Sequence, residues 1–277
     1  MTALGRWARG DAVAAVSLGV LVLLVGVSVL VPWLGSYSYA TQRLEETFQP
    51  PSAAHWLGTD HLGRDVLARL AYGGRISFLI SGTAVLAHTL IGLVTGLAAG
   101  GIGGRTDGVL MRLTDIFLAF PPLLFLILFT GLLGPRIPYI VLALSLVGWA
   151  GMARQLRAEA LSLRTREFVV AARSLGASRA RVLGRHILAN VLTLAAVRAS
   201  LDVGPVILSE STLSFLGIGV QPPLPSWGTM IADGFVHLRT YPRLTLYPSA
   251  VLSVAILALT FVGESLAEAL DPRTRLR

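Results

Sequence analysis

Residues 55–65 contain side chains of the types that bind transition metals. His55, Asp60, His61 and Asp65 supply imidazole and carboxylate groups, which are suitable ligands for such ions. The alternative interpretation is a structural turn rich in glycine and aspartate. The sequence favours the turn, because a set of ligand types without a known geometry is weak support for a metal site. We therefore predict that this chain holds no metal.

A second group of polar residues lies inside apolar segments. Arg198 and Asp202 are four residues apart, which places both side chains on one face of a helix. An unpaired charge within a membrane is costly, so we expect these two residues to form an ion pair that faces other helices. They are also candidates for the lining of a translocation path, and both interpretations can hold together. His88 is expected to face the helix bundle in the same way.

Several kinds of catalysis are excluded by residues that the chain lacks. It contains no cysteine, and all 23 of its basic residues are arginine. The absence of cysteine excludes thiol catalysis, Cys-ligated zinc and iron–sulfur clusters. The absence of lysine excludes a phosphate-binding P-loop, which needs one. No set of serine, histidine and carboxylate residues converges on one membrane face, so we predict that the chain is not an enzyme.

The composition is typical of a membrane protein. Of the 277 residues, 54% are hydrophobic and only 14% are charged, with a mean hydropathy of +0.70, whereas soluble domains have about 25% charged residues. A helix needs about 20 apolar residues to cross the bilayer. Such runs predict an all-α polytopic protein with six transmembrane helices in a single domain, at about 12–33, 76–100, 113–134, 137–153, 187–209 and 245–263.

The distribution of arginine predicts the orientation in the membrane. A net charge of +8 would suggest nucleic acid in a soluble protein, but basic residues mark cytoplasmic loops in a membrane protein. We therefore predict no nucleic-acid partner, contacts with membrane lipids, and both termini on the cytoplasmic side of the membrane. Two long outer loops are then expected at 34–75 and 210–244, and one arginine-rich cytoplasmic loop is expected at 154–186. Spans two to four lie within 76–153, between the first outer loop and the cytoplasmic loop.

The cytoplasmic loop contains the pattern of a short amphipathic helix. Thr165 is expected to cap it, and Glu167 favours its first turn. Gly176 suits the left-handed position that ends a helix, and Ser178 is expected to cap the next one. An apolar stripe follows the spacing i, i+3, i+4, i+7, formed by Phe168, Ala171, Ala172 and Leu175. Such a stripe binds either a membrane surface or a groove on a partner protein, and the spacing does not decide between them.

The same loop resembles the EAA loop of bacterial ABC-transporter permeases. Ala171, Ala172 and Gly176 match its pattern, whereas Val170 stands at the position of the motif's glutamate and Ala189 at a position where many relatives have proline. Other segments resemble C-type permeases of dipeptide, oligopeptide and nickel importers. They are HWLGTDHLGRD at 55–65, GRIS at 74–77 and LSFLGIGVQPPLPSWG at 213–228.

This resemblance implies a permease subunit of an ATP-driven importer. Di- or oligopeptides are the expected substrate, and nickel or another small solute is the alternative. The implied partners are a homologous B-type permease, two P-loop ATPase subunits that carry ATP and magnesium, and an extracytoplasmic substrate-binding protein. The chain itself would need no cofactor. A stand-alone secondary transporter or a membrane enzyme would be the alternatives from other classes.

The resemblance also assigns a role to the amphipathic helix. In the family, this loop is a coupling helix that docks into a groove on the ATPase. The residues expected to couple to the ATPase in this chain are Glu167, Phe168, Ala171, Ala172, Leu175 and Gly176.

Overall fold

The computed structural model describes residues 12–34 and 37–270, which are mostly helical and contain no β-strand. The all-α prediction is confirmed. The arginines at 6, 9, 273, 275 and 277, which contribute to the predicted orientation of the termini, lie outside the described residues. The helices are α1 (Ala12–Leu34), α2 (Val66–Ile102), α3 (Gly104–Ala119), α4 (Pro122–Leu133), α5 (Ile137–Leu163), α6 (Glu167–Ser174), α7 (Arg179–Phe215), α8 (Trp227–Phe235) and α9 (Arg243–Leu270).

Five of these helices are long and apolar enough to cross a membrane, namely α1, α2, α5, α7 and α9. A sixth span exists only if α3 and α4 are counted together, and these two helices meet at an angle of 88°. The third predicted span is therefore broken, at Pro121 and Pro122. Proline lacks the amide hydrogen that a helix interior needs, but it is tolerated in a first turn, where Pro122 begins α4.

Several helices extend beyond the apolar runs from which they were predicted. Asp65 caps α2, accepting a hydrogen bond of 2.7 Å from the amide of Ala68, so this helix begins well before position 76. α5 continues to Leu163, and the start of the predicted loop 154–186 is therefore helical. In this extension of α5, Arg157 donates a 2.6 Å hydrogen bond to Asp107 of α3. The hydropathy of the sequence shows where each apolar run ends, whereas ion pairs and helix caps decide where the helix itself ends.

Close packing of α2 against α5 depends on a row of glycines in α2. Gly92, Gly96 and Gly100 recur every fourth residue, on one face of the helix. A Cβ atom at Gly96 would lie 2.6 Å from the carbonyl oxygen of Ala153, and one at Gly100 would lie 2.7 Å from that of Arg157. Small residues at this spacing let the backbones of membrane helices approach closely. α7 packs against this pair, and α9 packs against α7.

Candidate translocation cavity and coupling segment

A cavity of about 450 Å³ lies between α2, α4, α5 and α7. Its walls are mainly apolar and include Leu126 of α4 and Val147 of α5. The charged residues Arg198 and Asp202 line it together with His88. Its volume is within the range of about 300–1,000 Å³ that is typical of small-molecule pockets. The two residues named as candidates for the translocation path therefore border this cavity, and their role in transport stays a prediction.

Three helices contribute to the charged side of this cavity. Within α7, the ion pair predicted from the spacing is present: Nη2 of Arg198 lies 3.3 Å from Oδ1 of Asp202. From α2, Nε2 of His88 lies 3.2 Å from Oδ2 of the same carboxylate. Gly148 of α5 lies against the imidazole ring, and a Cβ atom at this position would collide with Nδ1 and Cγ of His88.

The surroundings of His88 show which of its ring nitrogens donates a hydrogen bond. The residue is 1% exposed, and its Nδ1 has no hydrogen-bond partner among the described residues. Nε2 therefore carries the hydrogen and donates it to Asp202, because the carboxylate can only accept. The imidazole thus holds Asp202, and Asp202 in turn holds Arg198.

The predicted coupling helix is α6, and one of its residues anchors it to the bundle. Val169 is fully buried and belongs to an apolar cluster that includes Leu163 of α5 and Val182, Ile187 and Val191 of α7. The predicted stripe faces away from this cluster: Phe168 is 45% exposed and Leu175 is 89% exposed. Ala171 is also exposed, and Ala172 is half-buried. The stripe is thus free of this chain's own core.

The ends of α6 agree only partly with the sequence. Gly176 has a φ of +84°, the left-handed conformation expected at this position. The hydroxyl of Ser178 accepts a 3.3 Å hydrogen bond from the amide of Arg181, so the predicted cap of the next helix is confirmed. The cap predicted at Thr165 is wrong: the N-cap residue is Arg166. The hydroxyl of Thr165 instead donates a 2.9 Å hydrogen bond to the carbonyl of Ser162, which closes the end of α5.

Exposed arginines surround α6. The first turns of α7 include a π-helical segment, Val182–Ile187, that leads from α6 into the membrane span. The exposed basic residues along this stretch are Arg166, Arg173, Arg179, Arg181 and Arg185. This end of the bundle therefore presents an apolar stripe within a basic border.

Three of the four residues considered as metal ligands, His55, Asp60 and Asp65, are held in buried polar contacts in the long segment before α2. Nδ1 of His55 lies 2.8 Å from Oδ2 of Asp65, and Nε of Arg64 donates a 2.7 Å hydrogen bond to Asp60. Asp60 also accepts hydrogen bonds from backbone amides of its own turn. Among the described residues there is no group of three or more histidine, aspartate or glutamate side chains that could hold a metal ion. These contacts correspond to the structural turn that the sequence favoured.

The amino-acid sequence matches two family models. Residues 92–276 match the inner membrane component of binding-protein-dependent transport systems. Residues 9–51 match the N-terminal transmembrane domain of oligopeptide transport permease C. The chain belongs to this family of permeases.

Individual relatives cover nearly the whole permease. It is 39% identical to the oligopeptide transport system permease protein OppC of Bacillus subtilis over 96% of this chain and 88% of the relative. It is 39% identical to the dipeptide transport system permease protein DppC of the same organism over 98% of this chain and 85% of the relative. The corresponding OppC of Escherichia coli is 40% identical over 95% of this chain and 87% of its own length.

One buried residue of the permease was not identified from the sequence. Glu210 of α7 is fully buried, and its carboxyl group bonds to Ser77 of α2 at 2.9 Å and to Ser214 of α7 at 2.8 Å. Ser211 lies 3.4 Å away. A glutamate within an apolar run was a usable signal, but its serine partner in α2 is 133 residues distant in sequence.

Proposed function

We propose that this permease forms half of the translocation path of an ATP-driven importer for di- or oligopeptides in the bacterial cytoplasmic membrane. The observation that carries the proposal is its similarity, over nearly the whole chain, to proteins named for oligopeptide and dipeptide transport. The other half of the path would come from a homologous B-type permease. Two P-loop ATPase subunits with ATP and magnesium would bind at the cytoplasmic side, where both termini would lie. A substrate-binding protein would deliver peptide on the outer side.

The coupling segment Glu167–Gly176 would dock into a groove on an ATPase subunit. Its exposed stripe offers the side chains that a groove of this kind buries, with Phe168 and Leu175 as the largest. Val169 holds the opposite part of the helix on α5 and α7. A helix fixed to the bundle on one side and free on another can transmit a displacement. The basic border favours a partner whose groove has an acidic rim.

Transport would then follow from alternating access. ATP binding brings the two ATPases together, the coupling segment moves with its groove, and the spans tilt so that the path opens on the other side. Such coupling requires that the ATPases contact the two conformations differently. The permease itself would contribute binding surfaces and movement, and ATP hydrolysis would take place on the partner subunits.

Substitution of Leu175 tests the docking assignment. Because Leu175 is 89% exposed, Leu175→Asp removes no packing within this chain. We expect the assembled importer to hydrolyse ATP but to lose most peptide uptake in proteoliposomes. Ser174→Asp is the matched control, since Ser174 is also exposed but lies off the stripe. Wild-type uptake by Leu175→Asp would contradict docking through this stripe.

Two further substitutions probe the same segment. Ala172→Arg places a large charged group on the stripe, and Gly176→Val forces a β-branched residue into a left-handed conformation. Both variants should insert into the membrane normally and separate ATP hydrolysis from transport. Wild-type transport rates for both would show that the segment has another role.

The partners and the substrate can be tested from native membranes. A mild-detergent pull-down of the tagged permease, read by mass spectrometry, should recover a second permease, P-loop ATPases and a binding protein. The binding protein is then screened against peptides and nickel, and nickel binding would favour the alternative substrate. Recovery of a stable, monodisperse chain alone, together with uptake that uncouplers abolish and ATP depletion does not, would favour a secondary transporter.

A further inference from the structure

The cavity is lined by an arginine that has one hydrogen-bond donor without an acceptor. Nε of Arg198 is buried and has no hydrogen-bond partner among the described residues. The side chain as a whole is 35% exposed, and the residue lines the cavity. A guanidinium nitrogen can only donate, so the missing group is an acceptor. Carboxylates match the planar fork of arginine better than other acceptors do, because two parallel hydrogen bonds form at once.

The neighbouring Asp202 does not supply this acceptor, because it contacts Arg198 through Nη2 and not through Nε. Oδ1 accepts from Nη2 of Arg198 at 3.3 Å, and Oδ2 accepts from His88 at 3.2 Å. Asp202 and His88 are thus positioning residues, which fix the direction of the guanidinium. Gly148 completes the arrangement by leaving room for the imidazole ring.

The remaining walls of the cavity give Arg198 a distinct role. Among the described side chains that line the cavity, Arg198 alone is a permanent cation, and most of the others are apolar. Hydrogen bonds to a charged group are stronger in such surroundings than in water. The hydroxyl groups of Ser209 and Thr212 line another part of the cavity. Ser209 lies seven residues beyond Asp202 along α7, or roughly 10 Å at the helical rise. This distance leaves space for a short ligand.

We propose that Arg198 binds a carboxylate of the substrate in this cavity, so that the permease itself favours peptides with a free carboxylate over neutral peptides. The inference rests on the proposed function, because it takes a peptide as the transported molecule. A peptide carries a carboxylate at its C-terminus and on acidic side chains. Either carboxylate would form the same hydrogen bonds with Arg198, and the peptides used in the test distinguish the C-terminal carboxylate from a side-chain carboxylate.

The test uses the complete importer in proteoliposomes with three labelled peptides. They are trialanine, trialanine amide, and the amide of Ala-Glu-Ala. Affinities of the binding protein for each peptide are measured separately, and uptake is measured with the binding protein saturated, so that its own preference is removed. We expect wild-type importer to take up trialanine about tenfold faster than its amide, because hydrogen bonds between two charged groups are stronger than those to a neutral amide. If the amide of Ala-Glu-Ala is taken up as fast as trialanine, Arg198 binds a carboxylate at either position. If this amide is taken up slowly, Arg198 binds the C-terminal carboxylate.

Substitution of Arg198 supplies the decisive comparison. Arg198→Gln should reduce the ratio of acid uptake to amide uptake to about one, whereas Arg198→Lys, which keeps the charge but loses the fork, should give an intermediate ratio. Asp202→Asn should lower the ratio through loss of orientation. Arg112→Gln, an exposed arginine of α3 outside the cavity lining, should keep the wild-type ratio. If Arg198→Gln does not assemble, the ratio of Arg198→Lys decides, and a wild-type value there overturns the inference.

Two outcomes separate failure of the inference from failure of the proposed function. Uptake of all three peptides by wild-type importer, with the same ratio in Arg198→Gln, overturns carboxylate binding by Arg198 and leaves peptide transport standing. Absence of wild-type uptake of any peptide that the binding protein binds overturns both.

Discussion

The closeness of α2 and α5 predicts opposite effects for the same substitution at two glycines of one helix. A Cβ atom at Gly96 would lie 2.6 Å from the carbonyl oxygen of Ala153 and 3.1 Å from the amide nitrogen of Arg157. Both are backbone atoms of α5 and cannot rotate away. A Cβ atom at Gly82 would meet nothing within 4 Å. Gly96→Ala therefore needs the helices to separate, whereas Gly82→Ala does not.

The size of the effect follows from two opposing contributions. Replacing glycine by alanine within a helix stabilises it by up to about 1 kcal/mol. Favourable contacts between non-bonded heavy atoms begin at roughly 3.5 Å, so Gly96→Ala creates a shortfall of somewhat less than 1 Å against a rigid neighbour. Overpacking of this kind costs about 1–3 kcal/mol. We expect Gly96→Ala to lower the free energy of unfolding by about 1–2 kcal/mol and Gly82→Ala to leave it unchanged or raise it.

Denaturation of the purified permease in detergent measures both variants against wild type. SDS titration followed by circular dichroism gives the free energy, and the midpoint of thermal unfolding gives an independent ranking. The opposite signs protect the comparison from errors that affect both variants equally. Equal stabilisation by the two alanines would refute the close approach of α2 and α5.

Three further substitutions test other parts of the structure. Val169→Ala removes two buried methyl groups from the contact between α6 and the bundle, at a cost of about 1–2 kcal/mol. Faster trypsin cleavage at Arg166 and Arg173, on either side of Val169, should report it, and an unchanged rate would contradict the anchor. Glu210→Ala should destabilise the permease by about 2–3 kcal/mol, because its buried hydroxyl partners lose an acceptor. Glu210→Gln should cost less, and equal unfolding midpoints for wild type and Glu210→Ala would exclude the hydrogen-bonded role. Burial is the main cause that lowers the pKa of His61, in the loop before α2, below its ordinary value of 6.5. The unfolded chain therefore binds a proton more readily, and stability should fall as the pH drops below about 6.5; His61→Gln should flatten this slope, and an identical pH profile would refute it.

The sequence predicts the architecture well because the bilayer imposes it. Apolar runs of sufficient length identified α1, α2, α5, α7 and α9, whereas the break between α3 and α4 falls at a proline pair inside one predicted span. The ends of the helices were less predictable. α5 continues through Arg154 and Arg157 because these pair with Asp115 and Asp107 of α3. Such partners lie in another helix, and hydropathy does not reveal them.

The cavity was predictable only in part, for the same physical reason. The four-residue spacing identified the pair Arg198 and Asp202, since a helix fixes local geometry. The contact between His88 of α2 and the same carboxylate depends on how three helices pack. That packing depends in turn on Gly148, which leaves room for the imidazole ring. The glycine row of α2 did carry a readable signal, because small residues at every fourth position mark close helix contacts.

The arrangement of the core bears on how a movement of α6 would reach the cavity. The apolar cluster around Val169 extends through Leu156 of α5 to Met152, and along α7 to Ala195. Met152 also lines the cavity, and Ala195 lies one turn from Arg198. Packed side chains transmit displacement because protein interiors have few voids into which they can yield. A docked ATPase that moves α6 would therefore move α5 and α7 together, and these helices carry Gly148 and the charged pair. Release of a carboxylate from Arg198 could thus be driven by the loss of its support from Asp202 and His88.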